Sequence, residues 1–242
     1  LRVHWYRFGT YLMRGDVESS RAEVEAHSRL CREQRVIVPM AFQERMRAAH
    51  AMIAGDRADA VARIQAAFSI GRRTASPTAM ASFFGVTAWL LKDWEELGQI
   101  EPWFQQSRQP YFDWAERPME VMYLLVLEEV GRTADLRRRF ATFAAEGFGA
   151  EPRDQLWMTQ MAEAARLCVA LADRERGEEV RELLSPYSGL HVVETQLGAY
   201  GGPVDGYLGL LEELLGDPDA AAGKFDAAIH QSERIGAAGY GT

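Results

Sequence analysis

The stretch LLGDPDAAAGKFDAAI, Leu214 to Ile229, decides the fold. A leucine-rich helix stops at Gly216, the residue type best suited to the left-handed conformation that closes a helix C-terminus. Asp217 can cap a following helix, and Pro218 fits that helix's first position, where a backbone N–H has no partner to lose. Ala221, Phe225, Ala228 and Ile229 then recur at helical spacing and form one apolar face. Helix, tight turn, helix is an antiparallel hairpin.

The same punctuation recurs upstream, at Gly15–Asp16, Gly55–Asp56, Lys92–Asp93, Gly131–Arg132 and Ala172–Asp173. The turn residues 16, 56, 93, 132, 173 and 217 follow one another at steps of 40, 37, 39, 41 and 44. This period predicts one all-α domain over residues 1–242. Its antiparallel hairpins, about six, are bounded near 1–36, 38–72, 77–108, 117–147, 153–185 and 203–236. Each pair of helices has an apolar face that only a neighbouring pair can cover, so the expected architecture is an α-solenoid. LHVVETQL (Leu190–Leu197) is β-prone, but it lies in a Gly/Pro-bounded connection and reads as a long loop.

The last hairpin resembles a tetratricopeptide repeat (TPR). Leu208 and Gly209 match that family's first-helix pair, and Ala221, Phe225 and Ala228 match its second-helix set. Small residues there let two helix backbones approach closely. Glu212 stands where the family usually has tyrosine. The second hairpin keeps Ala60, Ile64 and Ala67, and the fourth has Leu136, Phe140 and Phe143. The third and fifth place Glu101 and Arg181 at the large apolar position, with Ile100 or Val180 filling the gap. Over Leu183–Ala237, the PYSG loop with its VV, the segment GPVD and the helix YLGLL…LGD are similar to the C-terminal TPR-like region of multidomain bacterial signalling ATPases. These include adenylate/guanylate cyclase-like proteins and LuxR-type transcriptional regulators. The resemblance implies a right-handed superhelix acting as a non-catalytic sensor or protein-interaction region. Its partner would be another protein or a neighbouring domain of the same chain. The alternative is a small-molecule effector bound in the concave groove.

Composition narrows the function further. The chain begins at leucine and reads as a piece of a longer protein. The formal net charge of -8 argues against a nucleic-acid surface, which needs a basic footprint. The run Arg137–Arg139 reads as a solvated helix face. No apolar run is long enough for a membrane span. The two cysteines, Cys31 and Cys168, lie in apolar helical patterns and are expected free, which points to a reducing cytoplasm. No Gly-x4-Gly-Lys-Ser/Thr loop, Gly-x-Ser-x-Gly elbow, His-x3-His or Cys-x2-Cys spacing occurs, so no catalytic residue, metal or cofactor is expected.

Two aromatic stretches are the candidate interaction surface. In HWYRFGTYLM (His4–Met13), Trp5, Gly9 and Leu12 are expected on the inner side, with Phe8 and Tyr11 between helices. Core packing or a recognition pocket around Trp5 would account for them. In PWFQQSRQPYFDWAERP (Pro102–Pro118), Trp103, Tyr111, Phe112 and Trp114 either plug a seam between hairpins or form an exposed patch. Ile229 and Ile235 mark an apolar edge at the last hairpin, suited to self-association as a homodimer.

Overall fold

A computed structural model describes residues 1–74, 77–106, 116–149, 153–194 and 198–237. Among the described residues the chain is mostly helical. The helices are α1 (Arg2–Met13), α2 (Val17–Glu33), α3 (Val38–Ile53), α4 (Arg57–Arg73), α5 (Pro77–Asp93) and α6 (Glu101–Gln106). They continue as α7 (Glu116–Glu129), α8 (Thr133–Phe143), α9 (Trp157–Leu171), α10 (Arg174–Leu184), α11 (Val204–Leu215) and α12 (Pro218–Ile235). A two-stranded antiparallel sheet, β1 (His191–Glu194) and β2 (Ala199–Pro203), follows α10 and precedes α11 in the chain. The expected long loop is thus a β-hairpin.

The six turns share one geometry. Gly15, Gly55, Glu95, Gly131, Ala172 and Gly216 all have φ between 53 and 85°. The N–H of the next residue (Asp16, Asp56, Glu96, Arg132, Asp173, Asp217) donates to the carbonyl five residues back at 2.8–3.0 Å. That six-to-one bond is the Schellman closure of a helix end. The side chains of Asp16, Asp56, Asp173 and Asp217 then accept from the backbone N–H three residues on, capping the second helix. The third turn is corrected from Lys92–Asp93 to Glu95–Glu96, because Asp93 still belongs to α5. Counted from residue 96, Phe104 rather than Glu101 takes the large apolar position, and Glu101 instead pairs with Arg132 at 2.7 Å.

A second regularity repeats with the turns. Polar side-chain pairs link residues nineteen apart in four hairpins: His4–Glu23 (2.6 Å), Glu44–Arg63 (3.1 Å), Glu120–Arg139 (2.8 Å) and Asp205–Lys224 (2.8 Å). Each joins the position twelve before the turn residue to the position seven after it. At the same register hairpin three has Phe84 and Trp103, and hairpin five has Met161 and Val180.

By packing, the chain divides into two compact units. The first comprises Leu1–Leu90, Gly189–Pro203 and Ala227–Thr242; the second comprises Leu91–Ser188 and Val204–Asp226. In the first unit, α1 packs against β1 and α3 packs against β2. All nine strand residues are buried, and Tyr200 is 0% exposed. The core gathers Phe8, Leu12, Val24, Met46, Ile53, Val193 and Tyr200. Gly201 lies against the Trp89 ring, where an added Cβ would stand 3.0 Å from it. In the second unit, α9 packs on α7, α10 and α11. There a Cβ at Gly209 would lie 2.6 Å from the Phe225 ring, the close helix approach that the Leu-Gly pair implies.

Candidate functional site

Around Trp5 the first unit builds an aromatic ladder. The Trp5 ring stacks on Tyr6 at 5.4 Å and meets Phe42 of α3 at 5.1 Å. The Arg45 guanidinium lies 4.3 Å from the Phe42 ring centre. Burial pushes the Arg45 pKa down to about 10, with the Glu194 carboxylate of β1 opposing that shift. Seven large hydrophobic residues are exposed among the described residues, and five of them (Val3, Tyr6, Ile37, Val38, Met40) lie on α1 or at the start of α3. Val130 and Ile229 are the other two.

The candidate residues of the two aromatic stretches and of the last hairpin fall into different environments. On α1, Trp5 is half-buried and packs on the core cluster. Leu12 is a core residue at 1% exposure, not a surface one, because its helix faces β1 and α2. Phe8 and Gly9 are buried with it, and Tyr11 is partly exposed. Trp103 is half-buried and meets Phe104 edge-on at 5.3 Å, while Phe104 stacks on Tyr123 at 5.0 Å. Tyr111, Phe112 and Trp114 lie outside the described residues. Ile229 is 37% exposed, and Ile235 is partly buried, packed against the core cluster of the first unit.

The run Arg137–Arg139 is not simply a solvated face. Arg137 donates to the Leu171 carbonyl, Arg138 to Asp135, and Arg139 holds both Glu120 oxygens at 2.8 and 3.0 Å.

Three residues of the stretch that carries the resemblance, Ser188, Asp205 and Lys224, meet in the second unit. Ser188 of the PYSG loop donates to Asp205 Oδ1 of GPVD at 2.6 Å. Lys224 Nζ of α12 donates to the same oxygen and to Ser188 Oγ, both at 2.8 Å. Asp205 is 1% exposed. An ammonium donating to a carboxylate and a hydroxyl presents no lone pair to take the serine proton, so this is a clasp and not a nucleophile–base dyad. The other lysine of the chain behaves alike: Lys92 donates to the buried Glu163 at 2.5 Å.

All five histidines fall in the first unit. His50 Nε2 shares a 2.7 Å hydrogen bond with the Ser20 hydroxyl, and His191 Nδ1 shares a 2.8 Å bond with Tyr200. Burial pushes both His27 and His50 down to about 4. His27 also stands 3.5 Å from the Cys31 thiol. Both cysteines are free and buried, and burial raises the Cys168 thiol to about 12. Among the described residues no three His, Cys, Asp or Glu side chains gather as a metal site, and no helix is long and apolar enough to cross a membrane.

Comparison with protein-family models, curated proteins and solved structures finds no match to this chain.

Proposed function

We propose that this chain is a TPR-like, non-catalytic interaction region of a multidomain cytoplasmic signalling ATPase, recognising a protein partner through the face around Trp5 and Tyr6. The observation that carries the reading is the concentration of exposed apolar side chains on α1 and the start of α3, beside a half-buried aromatic ladder. Such patches on an otherwise polar surface mark interaction sites, and tryptophan, tyrosine and arginine dominate their energetics. Recurrent helical hairpins with a common turn support the TPR-like class, and two free thiols support a reducing compartment.

In this reading the packing of β1 on α1 and of β2 on α3 narrows the docking face. The chain's own hairpin covers those helix faces, so recognition falls on the outward side of α1 and the first turn of α3. The test is a photo-crosslinking amino acid at Tyr6 or Val38, with Val130 as control, in cells of the source organism. One discrete adduct from Tyr6 and Val38 that is absent from Val130 supports the reading. No adduct, or the same adducts from all three sites, overturns it.

A further inference from the structure

The face around Trp5 and Tyr6 carries a charge as well as an apolar surface. Along α1 the exposed positions Val3, Tyr6, Arg7 and Thr10 recur three and four apart, with Arg2 beside Val3, so arginine and apolar side chains share one outward stripe. The α2–α3 turn adds Arg35 next to the exposed Ile37, Val38 and Met40. The Trp5–Phe42 ring contact holds α1 to the beginning of α3. Neither α1 nor the segment Gln34–Gln43 contains an aspartate or a glutamate, and Glu33 is the carboxylate that flanks them.

Two of these three arginines are uncommitted. Arg7 holds the buried Glu23 at 2.8 Å, a carboxylate it shares with His4. Arg2 and Arg35 are exposed and enter no ion pair among the described residues. The start of α3 adds to their field. Asp16 and Asp56 cap α2 and α4, whereas Ile37 stands at the α3 cap with no side-chain hydrogen bond, and the first turn of α3 has no acidic residue. Its positive end therefore favours a carboxylate from outside. Residues 1–43 hold seven arginines against five carboxylates, on a chain of formal net charge -8. A broad anionic surface such as a membrane would also meet the acidic remainder of the chain and be repelled by it. A slender segment meets only the stripe. Strand addition has no place here, because all nine strand residues are buried, whereas exposed side chains three and four apart on α1 form a ridge suited to a second helix.

We propose that the segment received by this face is an acidic amphipathic helix of the partner, its apolar stripe on Val3, Tyr6 and Val38 and its carboxylates on Arg2, Arg35 and the start of α3. The inference rests on the reading that this face is the interaction site. The probe is a fluorescein-labelled helical peptide of leucine, phenylalanine and glutamate, apolar at i, i+3, i+4 and i+7. A counterpart with lysine for every glutamate and phosphatidylserine vesicles are the controls. Titrated with the whole chain and followed by anisotropy, the acidic peptide should saturate and bind at least tenfold tighter than the lysine peptide at low salt, with the gap narrowing at high salt. Arg2→Glu with Arg35→Glu should reverse the preference, and Tyr6→Ala should weaken the acidic peptide at least tenfold. The substituted side chains are exposed, and an unchanged far-UV spectrum shows that the variants fold. If Tyr6→Ala weakens binding but both peptides bind alike, or the preference survives charge reversal, the acidic partner is wrong while the face stands. Binding indifferent to Tyr6→Ala overturns the face and this inference with it. Absence of saturation by the acidic peptide overturns the inference and leaves crosslinking to decide the face. Vesicles bound more tightly than the peptide overturn it in favour of a membrane.

Discussion

Lowering the pH from 7 to 5 should loosen the first unit and leave the second nearly untouched. His27 and His50 are held neutral by burial, with pKa values near 4 against an ordinary 6.5. The folded value lies below the unfolded one, so their contribution is complete above pH 6.5 and is lost as pH falls through 6.5 towards 4. At pH 5 the unfolded histidine is almost fully protonated while the folded one is not. The difference is about 2 kcal/mol per group, or about 4 kcal/mol for the two, and nearly nothing at pH 7. His27 is 2% exposed, so solvent screens its share little, whereas the partial exposure of His50 makes its figure an upper value. The second unit has no histidine, and carboxylates stay largely ionised over this range. Hydrogen exchange read by mass spectrometry on peptides from α2 and α3, against peptides from α9 and α10, measures each unit separately. Opening free energies in α2 and α3 should fall by roughly 2–4 kcal/mol between pH 7 and 5, and those in α9 and α10 by well under about 1 kcal/mol. In His50→Gln the loss in the first unit should shrink by about half. Equal losses in both units, or none in either, would refute the reasoning.

Three further outcomes follow from single positions. Gly209→Val should cost about 2–3 kcal/mol, because its side chain meets the Phe225 ring, and Phe225→Ala should recover part of that loss in a double-mutant cycle read by urea unfolding. Lys92→Met should cost about 2–4 kcal/mol by leaving the buried Glu163 carboxylate with only Arg166, 3.7 Å away, whereas Lys92→Met with Glu163→Leu should cost much less; a similar cost for both would show that packing and not charge is at stake. Ala172→Gly should raise stability by roughly 0.5–1 kcal/mol, since Ala172 holds the left-handed conformation at φ 53° that its five counterparts, four of them glycine, also adopt.

Most of the turns are legible in the sequence because a left-handed helix end favours glycine, and Gly15, Gly55, Gly131 and Gly216 announce it. Glu95 hides the third turn: a glutamate in that conformation carries no signal, so a register counted from Lys92–Asp93 runs three residues early. That offset makes Glu101 look like a defect in the repeat and masks Phe104. The β-hairpin escapes for a different reason. Its strands are buried on both faces, so HVVE and AYGGP lack the polar–apolar alternation of a half-buried strand, and their glycines and proline read as loop. The polar pairs nineteen apart are present in the sequence, but they become visible only once every turn is placed. Leu12 belongs by spacing to an inner face that would be open in a bare solenoid and that β1 in fact covers. Trp5 is identifiable by residue type; Phe42 and Arg45, its neighbours in the ladder, lie some forty positions away and need the fold to bring them near.

The partner recovered by crosslinking provides the most direct test of the interaction face, through its equilibrium affinity for the chain and for Tyr6→Ala, Val38→Ala and Val130→Ala. Side chains at the centre of an interface cost about 1–2 kcal/mol or more on truncation, roughly a tenfold loss of affinity. The account expects Tyr6→Ala and Val38→Ala each to weaken binding about tenfold or more, with Val130→Ala at wild-type affinity. Full affinity in both α1 and α3 variants, with a loss in Val130→Ala, would contradict it.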